Sequence, residues 1–473
     1  MRVILVNPLA QEGLQMHRHK VGHLGLGYVA ACLLKEGHEV RVVDAKTQTL
    51  THEEVLRRVL DFAPHIAGVT AMTHEICYAA TLCSGIKRAI PECLTLVGGP
   101  HTTALPERTL REFPGIDVAV VGEGEITACE VARGVRLSNI AGIAYRDGER
   151  IHRTLTRPFI SDLDSIPFPA WHLFPRNAAW PLYAGRGCPF RCAFCQRVLG
   201  DRMRLRGVSN VLAEIDAMEE QLGYKGSWFQ DETFGVNLKW THEFLDRLIE
   251  RNRRREYIWN WKANSRANLA DAALYRKMRQ AGCGMLDFGV ESGSSIILER
   301  IRKSITLPQA RRAITLARQA GIRTNAFFII GHPGETWSTA FQTVRAAHFV
   351  EADMIAVGVM VPYPGTEIWD LAQKQLYGYK LLSEDWRVYD KYFGNALALR
   401  TLSHRQMELI QVLAYLAFYL GGHHWRDLWR FLTRFKAEAA TMVRRLAWPS
   451  RAHQGRHYGP DKDTPPHPPV IAP

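Results

Sequence analysis

What this 473-residue chain lacks narrows its class before any motif is read. No run approaches the roughly 20 apolar residues of a membrane-spanning helix. The first residues, Arg2-Val3-Ile4-Leu5-Val6-Asn7, form a strand pattern rather than a charged stretch followed by an apolar signal core. Nine cysteines, at 32, 77, 83, 93, 129, 188, 192, 195 and 283, are odd in number and scattered. That pattern is not a disulfide framework, and it points to a reducing, cytoplasmic setting. Low-complexity sequence is confined to the end, where the prolines and polar residues of 451–473 predict a disordered tail. Acidic residues are in deficit, giving a net charge of +13. The excess is dispersed: ten Lys/Arg against five Asp/Glu from Thr401 onward, then clusters at Arg197, Arg202, Arg204 and Arg206 and at Arg251, Arg253, Arg254 and Arg255. Scattered basic helix faces are solvated surface, so no nucleic-acid partner is expected.

What is present is most specific at Gly187-Cys188-Pro189-Phe190-Arg191-Cys192-Ala193-Phe194-Cys195. Three cysteines at CxxxCxxC spacing on one short loop suit three irons of an iron–sulfur cluster, which is held by cysteine thiolates. A fourth cysteine at matching spacing is missing, leaving one iron open. Structural cysteines or zinc are the alternatives, but structural zinc takes a fourth protein ligand and no CxxC partner follows. The loop resembles that of radical S-adenosylmethionine (SAM) enzymes, with Arg191 and Phe194 contributing to the likeness. The resemblance implies a [4Fe-4S] cluster on Cys188, Cys192 and Cys195 whose open iron chelates SAM.

Before the loop, short apolar strands alternate with helical segments. Val3–Asn7, Val40–Asp44, Ile66–Thr70, Leu94–Gly98 and Val118–Val121 read as strands. Gly25–Lys35, His52–Phe62 and Ile76–Ile90 read as helices. The alternation predicts a Rossmann-like, doubly wound parallel sheet with ligands at the carboxyl ends of its strands. Those ends carry Asn7, Thr70, Gly98-Gly99-Pro100-His101 and Gly122-Glu123-Gly124-Glu125. The two glycine segments resemble the cobalamin-binding domain that precedes many radical SAM domains. The resemblance covers about the first 125 residues and implies that Asn7, Thr70, Gly98, Gly99, His101, Gly122 and Glu123 line a cobalamin site. The DxHxxG motif that supplies an axial histidine elsewhere is absent, since the HxxG matches at His19 and His65 lack the aspartate. A Rossmann-like domain without the cofactor is the alternative. Asp147-Gly148 then marks a hairpin, and Asp162–Trp171 reads as a proline-punctuated linker.

From Tyr183 a second alternation gives six strand–helix units, too few for an eight-fold barrel. A partial (β/α)6 barrel fits, which is also the radical SAM fold. Its strand ends carry the candidate SAM contacts: Asp231 and Glu232, then Asn264 and Arg266, then Glu291 and Ser292, then Gly331. His332 follows as a candidate acid or base, although turn histidines are usually bystanders; Cys283 reads as core. Leu402–Leu420 is apolar at helical spacing, and Trp425 to about Leu446 is basic and aromatic. This reads as a helical cap or as a peripheral membrane contact suited to a lipid-like substrate.

The expected domains are 1–135 (cobalamin type), 136–178 (hairpin and linker), 179–385 (barrel), 386–450 (helical) and 451–473 (tail). The resemblance implies a cobalamin-dependent radical SAM enzyme that methylates an unactivated carbon of a small-molecule or lipid-like substrate. A 5′-deoxyadenosyl radical and methylcobalamin would do the chemistry, with electrons from a flavodoxin or ferredoxin. A cyclase, oxidase or rearranging enzyme of the same architecture is the alternative, as is a non-enzymatic cluster or cobalamin sensor. No catalytic side chain stands out.

Overall fold

The computed structural model describes residues 1–9, 21–176, 180–390 and 394–421. Near-continuous apolar strands build the first sheet, because helices cover both of its faces. Its strands are β1 (Arg2–Asn7), β2 (Glu39–Asp44), β3 (Ile66–Thr70), β4 (Leu94–Gly98), β5 (Val118–Val120), β6 (Ile143–Asp147) and β7 (Arg150–Arg153). They lie in the order β2-β1-β3-β4-β5-β6-β7. The first five are parallel, and β6 and β7 add antiparallel to the edge. Around them pack α1 (Leu24–Lys35), α2 (Ala45–Gln48), α3 (His52–Phe62), α4 (Ile76–Ala89), α5 (Pro100–Ala104), α6 (Pro106–Glu112) and α7 (Glu125–Ala132). The hairpin expected to sit with the linker therefore belongs to this sheet. Its register satisfies the open β5 edge, for example Val120 opposite Ile143.

The second sheet is six-stranded and parallel throughout. Its strands are β8 (Pro181–Leu182), β11 (Gly226–Phe229), β12 (Asn260–Ser265), β13 (Cys283–Glu291), β14 (Arg323–Ile330) and β15 (Met354–Val359), in that order. Between the first two, β9 (Gly185–Arg186) and β10 (Arg204–Leu205) pair antiparallel and clamp the base of the cysteine loop. The strand expected over Leu182–Gly185 is thus broken after Leu182. Asp231 causes the break by accepting the amides of Ala184 and Gly185 at 3.0 and 2.8 Å. The helices outside are α8 (Val208–Leu222), α9 (Leu238–Arg254), α10 (Ala272–Gln280), α11 (Ser295–Arg300), α12 (Leu307–Gln319) and α13 (Trp337–Phe349).

After the barrel come α14 (Glu367–Gln373), an antiparallel ribbon of β16 (Tyr379–Leu381) and β17 (Leu397–Leu399), and α15 (His404–Gly421). The helical region expected from 386 thus begins only at His404. Before it, Trp369, Trp386 and Tyr389 join the apolar core of the N-terminal sheet, and the Trp386 indole donates to Glu112 at 2.6 Å. Helix α15 covers the free edge of β15. The Val357 amide donates to the Tyr415 hydroxyl at 3.0 Å, and the Gln411 side-chain amide donates to the Val357 carbonyl at 2.6 Å. No described helix is long and apolar enough to cross a membrane. The basic aromatic segment at 425–446 and the tail at 451–473 lie outside the described residues.

Candidate functional site: two neighbouring cavities

Gly187 opens the cysteine loop in a left-handed conformation (φ +90°). A Cβ there would lie 2.2 Å from the Arg202 carbonyl, so only glycine allows this approach. Backbone bonds then fix each cysteine. Cys188 N–H donates to Gly200 O at 3.2 Å, Ala193 N–H to Ile301 O at 3.0 Å, and Cys195 N–H to Cys192 O at 3.1 Å. All three thiols line one cavity of about 550 Å³ at the carboxyl ends of the barrel strands. The Arg266 guanidinium, stacked on Phe190 at 3.8 Å, donates to Cys192 Sγ at 3.3 Å. Cys192 is drawn down to about 6, first by a hydrogen bond from the Cys195 thiol and then, against the cost of burial, by Lys303 and Arg266. Donating that bond pushes Cys195 up.

The donor set fits a cluster. Among the described residues, no three His, Cys, Asp or Glu side chains are close enough to share a single ion. A multi-iron cluster has no such need, because each thiolate takes a different iron. Arg266 and Lys303 offset the negative charge that three thiolates and sulfides bring. Acceptors for an ammonium and for hydroxyls stand on the same wall: Glu232, Asp287 and Glu291 line the cavity beside Asn264 and Ser265.

The strand-end candidates for SAM divide into two groups. Glu232 and Glu291 face the cavity; Asp231, Ser292 and Gly331 do not. In the turn after β11, Asp231 points inward to the amides it holds while Glu232 faces the loop and accepts from Gly187 N–H at 3.2 Å. The buried Ser292 hydroxyl shares a hydrogen bond with Thr343 of α13 at 3.1 Å. Gly331 lies behind the wall, its amide held by Glu335 and its carbonyl by the Tyr379 hydroxyl.

Glu291 itself sits at a bulge, with φ +72°. A salt bridge to Lys303 at 2.8 Å and a contact of 3.3 Å between its carbonyl and His332 Nε2 hold this uncommon backbone. His332 is therefore a support behind Glu291 rather than a group facing the cavity, and burial lowers its pKa to about 4. Lys303 carried no sequence signal.

Glu335 yields a test of this support. Burial raises its carboxyl from 4.5 to about 7, despite the Gly331 and His332 amides that it accepts. The folded chain then holds this proton more tightly than the unfolded chain. Its stabilisation is present in acid and declines as pH rises from 4.5 to about 7. Glutamine mimics the protonated carboxyl. Glu335→Gln should therefore lose less stability than the parent between about pH 5 and about pH 7.5, read as urea midpoints.

A second cavity of about 190 Å³ lies at and beneath the carboxyl ends of β1, β3, β4 and β5, flanked by α1 and α7. Thr70, Gly98, Gly99, Gly122 and Glu123 line it. Asn7 and His101 do not. The Asn7 amide donates to Asp44 at 2.9 Å inside the fold. His101 turns into the domain interface, its ring edge-on to Trp386 at 4.9 Å, and burial lowers its pKa to about 3.

Glu125, Tyr183 and Arg186 also line it, and most of the rest is apolar, with Val3, Leu5, Leu33 and Leu96 at depth. A Cβ on Gly122 would meet nothing within 4 Å, leaving its backbone open to a ligand. The space suits a flat heterocyclic group and is too small for a macrocycle, which would rest at the mouth. His23 also lines it. Its Nδ1 accepts from Leu26 N–H at 3.1 Å, so Nε2 carries the hydrogen, 3.5 Å from the Thr70 hydroxyl. That nitrogen is a donor rather than a metal ligand, which agrees with the missing DxHxxG motif.

Four consecutive residues supply lining to both cavities. Gln196, Arg197 and Val198 line the first, and Leu199 lines the second. Buried charges bind the halves together. Arg186 donates to Glu123 at 2.9 Å and Glu125 at 2.7 Å, and Arg204 reaches both oxygens of Glu123 at 3.0 Å.

Comparison with known proteins agrees with this division. The family model for the B12 binding domain matches residues 18–132, and that for the radical SAM superfamily matches residues 182–347. An uncharacterized methyltransferase of Pyrococcus horikoshii is 32% identical over 434 residues, covering 89% of this chain and 93% of its own. The anaerobic magnesium-protoporphyrin IX monomethyl ester cyclase of Rubrivivax gelatinosus is 31% identical over 390 residues, covering 78% and 69%. Among solved structures, the radical SAM methyltransferase TsrM of Kitasatospora setae shares the fold, with a TM-score of 0.69 at 17% identity and 88% of each chain covered. The chain belongs to the radical SAM enzymes that carry an N-terminal B12-binding domain.

Proposed function

We propose that this cobalamin-dependent radical SAM enzyme is a methyltransferase acting on an unactivated carbon. The observation that carries the reading is that one segment, Gln196–Leu199, lines both the thiol-bearing and the apolar cavity, so that two cofactor sites would adjoin one substrate space. Cys188, Cys192 and Cys195 would hold a [4Fe-4S] cluster, with Glu232, Glu291 and Lys303 around SAM. Thr70, Gly98, Gly99 and Gly122 would border the corrin, with its nucleotide tail in the apolar groove. When bound, these groups supply one-electron chemistry and a transferable methyl group. The protein's own part is to position them, to balance the cluster's charge through Arg266 and Lys303, and to exclude water from the buried wall. An external one-electron donor such as a flavodoxin or ferredoxin would feed the cluster.

The relative named as a methyltransferase favours methylation, and the 31%-identical cyclase favours ring closure without methyl transfer as the second reading. One experiment separates them. The full chain is reconstituted anaerobically with iron, sulfide and cobalamin, then given methyl-labelled SAM and an extract of small molecules and lipids. Label should pass to the corrin and from there to an extracted compound. Label that stays in SAM and in the methionine formed from it, with new product formed, would establish the cyclase reading.

A further inference from the structure

The large cavity is chemically divided. Apart from Arg197 of the cysteine loop, its charged groups, Glu232, Arg266, Asp287, Glu291 and Lys303, all come from the β11–β13 side. The opposite wall is built by β14, β15 and the segment after it, with α15 behind. Its side chains are carbon apart from the sulfur of Met360 and the hydroxyls of Tyr363 and Tyr415, and the Tyr415 oxygen already takes the Val357 amide. Strand register makes this wall a hollow. Phe327 pairs with Ala356 and Ile329 with Gly358, so large residues on β14 face small ones on β15. Along β15 burial alternates: Met354, Ala356 and Gly358 are part-exposed while Ile355, Val357 and Val359 are buried. Phe327 keeps 36% of its surface exposed in mid-strand, and a Cβ on Gly358 would meet nothing within 4 Å.

A sheet face in a barrel interior is ordinarily filled by side chains. Here small residues leave apolar surface bare beside the reactive end of the site. We infer that the substrate lays an uncharged, hydrocarbon-like body against the β14–β15 wall, so that this enzyme acts on an apolar lipid-like molecule rather than an amino acid or nucleotide. The inference rests on the proposed enzyme site and deepens it. A charged substrate on this wall would lose its hydration without gaining any partner.

Nile red, an uncharged dye that brightens in apolar surroundings, is the probe. The full chain is used with cobalamin bound, so that the groove beside α1 is filled. Saturable binding is expected, displaced by squalene and not by tryptophan. Gly358→Phe, which projects a ring into the hollow, should weaken it by about tenfold or more while iron and cobalamin contents stay at parental levels. Trp337→Ala, on the outer face of α13, should leave the affinity unchanged.

Displacement by tryptophan, an unaltered affinity in Gly358→Phe, or a loss in Trp337→Ala instead would each overturn the inference. So would displacement by SAM alone, which would assign the wall to the cofactor. Dye binding is read without turnover. Failure of methyl transfer would therefore refute the proposed reaction and leave this result standing.

Discussion

Cys192→Ala is expected to abolish iron binding in the reconstituted chain, from about four atoms per chain to below about one. Its thiol is buried, fixed by the loop's backbone bonds, and its pKa is drawn down by Cys195, Lys303 and Arg266. Two remaining thiolates on a short loop do not retain a four-iron cluster. SAM cleavage should fall by about 1,000-fold or more, because the open iron that would chelate SAM goes with the cluster. The fold should survive, since the change removes one sulfur from a site that also faces a cavity. Cobalamin retention in the variant checks that survival independently. Cys283→Ala is the control: its thiol is buried in the barrel core, 3.6 Å from the Met285 carbonyl, and burial pushes its pKa up. Iron should be unchanged there. A cluster that persists in Cys192→Ala, or vanishes in Cys283→Ala, would refute the ligand assignment.

Local pattern made most of the scaffold legible. Val208–Leu222 could be bounded from its apolar spacing and from Gly223, which ends α8 in the left-handed conformation. The apolar runs of β1, β3 and β4 were readable for the same reason: both faces of each are buried. The cysteine loop was legible because its chemistry lies within nine consecutive residues.

Strand-end position told where site residues would gather but not which way each points. Asp231 and Glu232 are adjacent in the turn after β11 yet hold different amides, and Ser292 follows a bulge that resets the alternation. His101 looked like a cofactor contact because it follows Gly98-Gly99. Its direction is set by Trp386, almost 300 residues away, which no local pattern reports. Lys303 sits in a turn between two left-handed residues, Arg302 and Ser304, and only the folded chain shows it beside Glu291. The hollow in the β14–β15 wall likewise needs the register of two strands, not the sequence of either.

The most distant contact of this kind has the second large consequence. Arg186→Met should destabilise the fold by about 3–5 kcal/mol, the usual result of removing one member of a buried charge cluster. Arg186 lies on β9 of the barrel, 5% exposed, while Glu123 and Glu125 belong to the end of the N-terminal sheet. Burial lowers the guanidinium's pKa, but Glu125 and Glu123 outweigh this and keep it above its ordinary value. Without Arg186, Glu123 retains Arg204, whereas Glu125 loses the only salt-bridge partner found for it among the described residues. A buried carboxylate without a partner takes up a proton, so the loss should be greater at about pH 7.5 than at about pH 5. The double variant Arg186→Met with Glu125→Gln should recover part of it. Arg186 also lines the apolar cavity and precedes Gly187, so both cofactor halves hang on this residue. Urea unfolding followed by fluorescence and by cobalamin release should therefore coincide in the parent and separate in the variant. A loss below about 1 kcal/mol, or two transitions that still coincide, would show that the clasp does not couple the halves.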